Sequence, residues 1–386
     1  MSQVKILVAV LVMSAVHAFA AAPDEVQSIV DQGIVKHDQR DYAGAIELYR
    51  RALALDPNDP EANYELAYSL NASKQYDAAL DQVMTALIKP GAVKVRLYEM
   101  SGTALDSQGR FAEGEAEFRK ALAIDPNDAN ASFNLGICLV KQQKWLDAIA
   151  PFQLDLEYRP NHQAAWAGIA AAADEVGLRL QAILALLRYA AVTKDPSNAA
   201  GSTNRAWDLL MKGVTHSAGG SNITLNVDSD EFGADPSRGA ANLMVGLLAA
   251  GRHLEEHKNQ TNSEFMAESI TKLANFAIEM ADAHQSDEES APPPPEFAAD
   301  SFWRRHLYNY FSELGRLDLT QAMIFSLRAP LGEKGVAKWL KKNADKVEEW
   351  NDWQSRWKPT PPPQVASAPS PEPSVEGDAT LSQAPD

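Results

Sequence analysis

The sequence repeats itself with a period of about 34 residues, and this feature constrains the fold more than any other. Successive copies place a small residue at intervals of 34, 35, 34 and 34 residues, at Ala45, Ala79, Gly114, Ala148 and Ala182. A bulky residue lies four positions after each of them, at Tyr49, Val83, Phe118, Phe152 and Leu186. A proline closes each copy, at Pro57, Pro90, Pro126, Pro160 and Pro196. This period indicates an array of similar units that stack side by side.

Each copy contains two apolar patterns of helical length, separated by a short polar break such as "QRD", "QGR" or "QQK". Proline cannot continue a helix, so the prolines mark where the copies end. Small residues let two helices approach closely, and the bulky residues fill the spaces between neighbours. One helical hairpin cannot bury its own apolar face, whereas several stacked hairpins can. We therefore predict an all-α fold, an α-solenoid with a concave inner surface.

The pattern resembles the tetratricopeptide repeat, a helix-turn-helix unit. The first copy matches the family pattern at Gly33, Ala45, Tyr49, Ala52 and Pro57, and the third matches it at Tyr98, Gly102, Phe118, Ala121 and Pro126. The second copy lacks the aspartate before its proline. The resemblance divides residues 26 to 196 into five copies, at 26–59, 60–94, 95–128, 129–162 and 163–196.

The resemblance also implies a binding groove, because the first helix of each such repeat lines the concave surface. Carried over by position, it predicts a peptide-binding groove lined by Ile34, His37, Tyr64, Tyr68, Asn71, Arg96, Glu99, Asn130, Phe133, Ile137 and Lys141. Some family members hold a C-terminal carboxylate with paired Lys and Asn or Arg side chains in this groove, and the usual Lys–Asn pair on the first helix is missing here. Here Arg96 and Lys141 are the only cations at the groove positions, so the sequence argues against that mode.

The aromatic groove residues leave two interpretations open. Tyr64, Tyr68 and Phe133 are suited to hold an extended or helical peptide by stacking and apolar contact. Alternatively, they pack against the C-terminal region of the same chain, because exposed aromatic faces are usually covered.

The charge of the chain bears on its partners. The net charge is −17 and the isoelectric point is about 4.9, which is opposite to what a phosphate-binding surface needs. We therefore expect a protein or peptide partner and no nucleic acid. Self-association is a further candidate, and no motif for a cofactor is present.

The first 20 residues are typical of a cleaved signal peptide. They contain one cation, Lys5, an apolar run from Ile6 to Val16, and a small-x-small triplet that ends at Ala20. We expect the mature chain to begin near Ala21, in the periplasm or outside the cell, and we expect no membrane span after it. The lone cysteine, Cys138, excludes an intramolecular disulfide and is interpreted as a core residue.

The second half of the chain shows no 34-residue period. We predict helical regions at 197–285 and 299–358, separated by an acidic, proline-rich linker at 286–298 and followed by a disordered tail at 359–386. A helix near Trp207 is expected to begin at Ser202 or Thr203, and residues 223 to 227 alternate as in a strand or extended connector. Trp350, Trp353 and Trp357 form one helical stripe that favours docking on the protein body.

Two short motifs resemble metal sites. Residues 253–257, "HLEEH", match the motif of inverted zinc peptidases. In that motif His253 and His257 would bind zinc and Glu256 would act as the base, and Glu333 is the candidate third ligand. "DSDEFGAD" resembles a calcium loop but has Phe232 and Gly239 where oxygen ligands are required.

The sequence thus favours an exported, non-catalytic scaffold that binds a protein or peptide in its groove. The alternatives are an envelope zinc peptidase or other hydrolase that uses the C-terminal half, and an adaptor whose C-terminal domain plugs the groove until a partner displaces it.

Overall fold

A computed structural model describes residues 23–91, 93–216, 223–225, 236–253, 257, 259–283 and 301–361. The signal-like segment, the predicted linker at 286–298, the calcium-like loop and residues 362–386 of the tail lie outside the described residues.

The first 170 described residues or so form helical hairpins, as the period predicts. In chain order the helices are α1 Pro23–Asp38, α2 Tyr42–Leu55, α3 Pro60–Ala72, α4 Tyr76–Leu87, α5 Lys94–Ser107, α6 Phe111–Ile124, α7 Ala129–Lys141, α8 Trp145–Tyr158, α9 Gln163–Glu175 and α10 Arg179–Val192. Each predicted copy contributes one pair, and consecutive helices pack against each other from α1 to α10. The predicted all-α solenoid is confirmed.

The turn inside each hairpin depends on one residue with a left-handed backbone. The residues with positive φ are Arg40, Lys74, Gly109, Gln143 and Gly177, which recur with the same spacing as the copies. Aspartates begin several of the helices, because their carboxylates accept backbone hydrogen bonds there. Asp59 accepts from Ala62 N at 2.7 Å, and Asp128 accepts from Ala131 N at 2.9 Å.

Small residues set the distance between the helices of a hairpin. A methyl group on Gly102 would lie 2.7 Å from the ring of Phe118, and one on Gly136 would lie 2.7 Å from the ring of Phe152. Both phenylalanine rings are buried. The small-large pairing in the sequence therefore reflects direct contact between the two helices of each hairpin.

The solenoid continues beyond the fifth copy. Helix α11, Pro196–Met211, packs along α10. The expected start at Ser202 or Thr203 is wrong: Asp195 accepts hydrogen bonds from Ser197 N at 2.8 Å and Asn198 N at 3.4 Å, and Pro196 occupies the first turn. Proline is favoured there because its missing N–H is not needed in the first turn. Pro196 opens this helix.

The rest of the described chain is mainly helical. Strand β1, Val214–His216, pairs antiparallel with β2, Ile223–Leu225, so the strand-like run forms half of a small hairpin. The helices that follow are α12 Pro236–Gly251, α13 Asn262–Ala283, α14 Asn309–Arg316, α15 Thr320–Arg328, α16 Val336–Lys342 and α17 Ala344–Arg356, with a π-helical turn, Arg304–Tyr308, before α14. Thr261 and Glu264 cap α13 reciprocally, through hydrogen bonds of 2.7 and 3.1 Å.

Candidate peptide-binding groove

The inner wall of the solenoid is built from the first helix of each copy. Helices α1, α3, α5, α7 and α9 contact one another in succession, whereas the second helices of adjacent copies lie further apart. An array whose first helices are closer together curves with those helices on its inner side. The predicted groove residues lie on these helices.

Four of the predicted groove residues form a continuous stack across three copies. The rings of His37 on α1 and Tyr68 on α3 are parallel, with centroids 4.6 Å apart. Tyr64 lies one turn before Tyr68, with ring centroids 6.1 Å apart. The guanidinium of Arg96 on α5 lies 3.6 Å from the centroid of the Tyr64 ring. We call His37, Tyr68, Tyr64 and Arg96 the aromatic ladder.

Neighbouring polar groups hold both ends of the aromatic ladder. His37 Nδ1 lies 2.7 Å from the hydroxyl of the buried Ser69. Partial burial lowers the pKa of His37, although the negative charge of Asp38 raises it. At the other end, Arg96 forms an ion pair with Glu65 at 3.6 Å. Tyr68 remains 41% exposed, so the middle of the ladder presents aromatic surface to solvent.

Glu99, one turn after Arg96 on α5, belongs to a pair of carboxyl groups. Burial, together with the charge of the adjacent Asp128 and a hydrogen bond to it, raises the pKa of Glu99 to about 7, although the positive charge of Arg96 lowers it. Asp128 also caps α7. Near neutral pH, Glu99 is therefore poised between its two protonation states.

The remaining predicted groove residues divide into paired polar groups and half-buried side chains. Lys141 forms an ion pair with Asp106 at 2.5 Å, and Asn130 accepts a hydrogen bond from Arg159 at 2.9 Å. Phe133 packs inward, with its ring centroid 4.6 Å from that of His162. Three others are half-buried: Ile34, Ile137 and Asn71. The side-chain oxygen of Asn71 has no hydrogen-bond partner among the described residues.

The inner wall continues onto α11, which the sequence reasoning did not include. A cavity of about 560 Å³ lies between α9 and α11, with Ala167 and Ala171 on one side and Gly201 and Arg205 on the other. Arg205 bridges the two helices through an ion pair with Asp174 at 2.5 Å. Gly201 and Arg205 lie 34 residues after Ala167 and Ala171, so one further step of the period would have identified them.

Comparison with known proteins supports the repeat assignment. A family model described as tetratricopeptide repeat matches residues 30–93 and 100–155. These segments resemble tetratricopeptide repeats, and together they cover less than a third of the chain. A curated relative, "Small glutamine-rich tetratricopeptide repeat-containing protein 2" of Mycosarcoma maydis, is 33% identical over 105 residues, which is 27% of this chain and 29% of that protein. The chain thus spans less than a third of this relative.

Several solved structures resemble part of this chain. YrrB, described as a TPR protein with an unusual peptide-binding site, is 22% identical, with a TM-score of 0.38, over 46% of this chain and 90% of YrrB. MamA is 21% identical, with a TM-score of 0.38, over 42% of this chain and 93% of MamA. MamA from Desulfovibrio magneticus RS-1 is 24% identical, with a TM-score of 0.32, over 36% of this chain and 77% of that protein.

The C-terminal helices dock on the second helices of the last two copies. The carboxylate of Glu157 on α8 binds Arg305, and Gln181 on α10 donates a hydrogen bond to the hydroxyl of Tyr308 at 3.0 Å. The predicted docking stripe is confirmed: Trp350 is buried, and the rings of Trp353 and Trp357 lie 5.0 and 4.9 Å from that of Tyr310.

This docking leaves the first repeats uncovered by the described C-terminal helices. The two hydrophobic clusters below the aromatic ladder contain residues from Val26 to Met100 only. The ring contacts of Tyr64 and Tyr68 in the described part of the chain are to repeat residues. The alternative in which Tyr64 and Tyr68 pack on the C-terminal region is therefore wrong for residues 301–361. Phe133 differs, because it borders the large core that these helices share with repeats three to five.

The zinc-peptidase motif does not bring its predicted ligands together. Glu333 accepts hydrogen bonds from Ser263 N at 3.1 Å and Ser263 Oγ at 2.5 Å, and it lies 3.5 Å from Arg328. His257 Nδ1 lies 2.9 Å from Gln260 Oε1. Glu256 lies outside the described residues. Within the described ranges, no three His, Cys, Asp or Glu side chains are close enough to hold a metal ion.

The lone cysteine and the hydrophobicity of the helices were also interpreted from the sequence. Cys138 is buried, its thiol donates to the carbonyl of Phe111 at 3.0 Å, and burial raises its pKa, which confirms its role as a core residue. None of the helices among the described residues combines the length and the hydrophobicity that a membrane span requires.

Proposed function

We propose that this chain is an exported scaffold that binds an extended peptide segment of a partner protein along the inner wall of its repeats. The aromatic ladder carries this proposal. It presents stacked rings on the first two copies and a guanidinium on the third, and the described C-terminal helices pack on the other side of the array. A peptide laid across α1, α3 and α5 would gain stacking and apolar contact without displacing any described helix.

The proposal involves no chemical step. Binding would rest on shape and side-chain contact, with no cofactor, and the net charge of −17 disfavours nucleic acid as the ligand. Export is part of the proposal and rests on the sequence of residues 1–20. Mass spectrometry of the N-terminus of the cell-purified protein tests it, and the expected first residue is Ala21 or a close neighbour.

Selection from a random peptide display library tests the groove. The bait is the full chain from Ala21, and the variant is the double change Tyr64→Ala, Tyr68→Ala. The control is Tyr158→Ala, because Tyr158 is an exposed tyrosine on the second helix α8. We expect selected peptides to lose about tenfold or more in affinity for the double variant, since each stacked ring contributes about 1 kcal/mol. Equal affinity for the double variant and the control would remove the ladder as the binding surface.

A further inference from the structure

The inner wall of the first three copies is strongly acidic. Five carboxyl groups lie on or beside it in two groups: Asp38 and Glu61 act on Glu65 by their charge, and Asp128 acts on Glu99. Burial raises the pKa of Glu65, and the negative charges of Glu61 and Asp38 also raise it, whereas the positive charge of Arg96 lowers it. Carboxylates that are partly buried beside one another are stabilised by an added cation.

The cations on this wall are already engaged. Arg96 lies against Glu65 at 3.6 Å and over the ring of Tyr64, and Lys141 lies 2.5 Å from Asp106. Further along, Arg205 is paired with Asp174. An acidic segment would therefore meet carboxylates and would have to break existing ion pairs to reach a cation, which disfavours its binding.

Arg96 shows what kind of group this wall accepts. Its guanidinium lies 3.6 Å from the Tyr64 ring centroid and also contacts the carboxylate of Glu65. Arginine suits such a place because its planar, weakly hydrated guanidinium stacks on rings and also binds carboxylates. Tyr68 is the next ring of the ladder and is 41% exposed. Glu61 lies two turns before Tyr68 on α3, on the same helical face.

We infer that the segment bound by the proposed groove is cationic: an extended, arginine-bearing peptide whose guanidinium groups lie against Tyr68 and the Glu99–Asp128 pair. This inference rests on the proposed function and specifies its partner. The tail and linker of the same chain do not fit this description. Residues 362–386 contain four acidic residues and no Lys or Arg, and residues 286–298 contain acidic residues and no Lys or Arg. The like charge of these segments excludes them as occupants of an acidic wall.

Fluorescence anisotropy with three sets of labelled nine-residue peptides tests the inference on the full chain from Ala21. The sets share their apolar positions and differ at three fixed positions, which carry arginine, glutamine or glutamate. We expect the arginine set to bind at least about tenfold more tightly than the glutamate set, with the difference reduced at high salt. The double change Glu61→Gln, Glu99→Gln should remove most of this preference. The matched control Glu47→Gln, an exposed glutamate on α2, should keep it.

The outcomes separate this inference from the function on which it rests. If all three sets bind equally and lose affinity in Tyr64→Ala, Tyr68→Ala, the groove binds peptides and the cationic partner is wrong. If the arginine preference survives Glu61→Gln, Glu99→Gln, the net charge of the chain explains it and the assigned wall is wrong. If no set binds, the inference and the proposed groove fail together.

Discussion

Glu157 on α8 lies 3.3 Å from the buried imidazole of His306, which belongs to a helix 149 positions further along the chain. The same carboxylate receives a hydrogen bond from Arg305 Nη1 at 2.8 Å. This contact joins the repeat array to the C-terminal helices. It is also the point at which the stability of the whole assembly depends most clearly on charge.

Acidification should weaken this contact between about pH 4.5 and pH 2. Burial alone would raise the pKa of Glu157, but the contacts with His306 and Arg305 hold it at about 2, below its ordinary value of 4.5. Because the pKa of Glu157 is lower in the folded than in the unfolded state, its ionised carboxylate stabilises the folded state above pH 4.5. This stabilisation is lost as the pH falls toward 2. Glu157→Gln should lower the free energy of unfolding by about 3 kcal/mol at pH 7, because Arg305 stays buried without its counter-charge.

Urea unfolding of Glu157→Gln and of the wild type at pH 7 and at pH 3 measures this difference. The control is Asp147→Asn, an exposed carboxylate on the same helix. The difference between Glu157→Gln and the wild type should shrink at pH 3. A difference of the same size at both pH values would contradict the assigned charge interaction.

Glu99→Gln should have the opposite effect on stability. The pKa of Glu99 is raised to about 7 in the folded state, so the folded protein loses stability as the pH rises from about 4.5 to 7. The glutamine variant lacks this penalty and can still donate a hydrogen bond to Asp128. We expect its melting temperature to match the wild type at pH 4 and to exceed it at pH 8. A variant that melts below the wild type at pH 8 would show that the ionised carboxylate stabilises the groove.

Gly102→Ala should destabilise the third copy by about 1–3 kcal/mol, because the added methyl group would lie 2.7 Å from the Phe118 ring and the helices would have to separate. Gly201→Ala provides the contrast. Gly201 lies in the exposed face of α11 with no heavy atom within 4 Å of the added methyl group, so the substitution should stabilise the helix by up to about 1 kcal/mol. Thermal unfolding of both variants distinguishes close helix contact from a general effect of alanine.

Arg188 provides a test of aromatic packing around a buried cation. Its guanidinium lies 4.1 Å from the Tyr310 ring centroid and 5.3 Å from that of Trp357, and burial lowers its pKa. Arg188→Lys should cost about 2 kcal/mol, since an ammonium is more strongly hydrated and cannot stack as a plane. Arg188→Met should cost less, because no charge has to be buried. Urea unfolding, monitored by tryptophan fluorescence, measures the free energy of unfolding of both variants. A larger loss in the methionine variant would show that the charge itself stabilises the interface.

Features that repeat within each copy were predictable from the sequence. Ala45, Gly102 and Phe118 recur with the period, and each contributes to contacts within one hairpin, so their roles were readable from spacing. The start of α11 was misjudged because Pro196 was interpreted only as the end of a copy. Asp195 before it is a helix cap, and this signal was present in the sequence.

The sequence by itself determined the five helical hairpins, because helix formation and hairpin packing depend on residues within one 34-residue unit. Only the tertiary structure decided that His37, Tyr68, Tyr64 and Arg96 form one stack, and that the C-terminal helices bind the outer side of the array through pairs such as Gln181 and Tyr308. Apart from Tyr64 and Tyr68, which share α3, these partners lie on different helices, up to 127 residues apart. Their contact depends on how whole helices pack, and no local pattern encodes that arrangement.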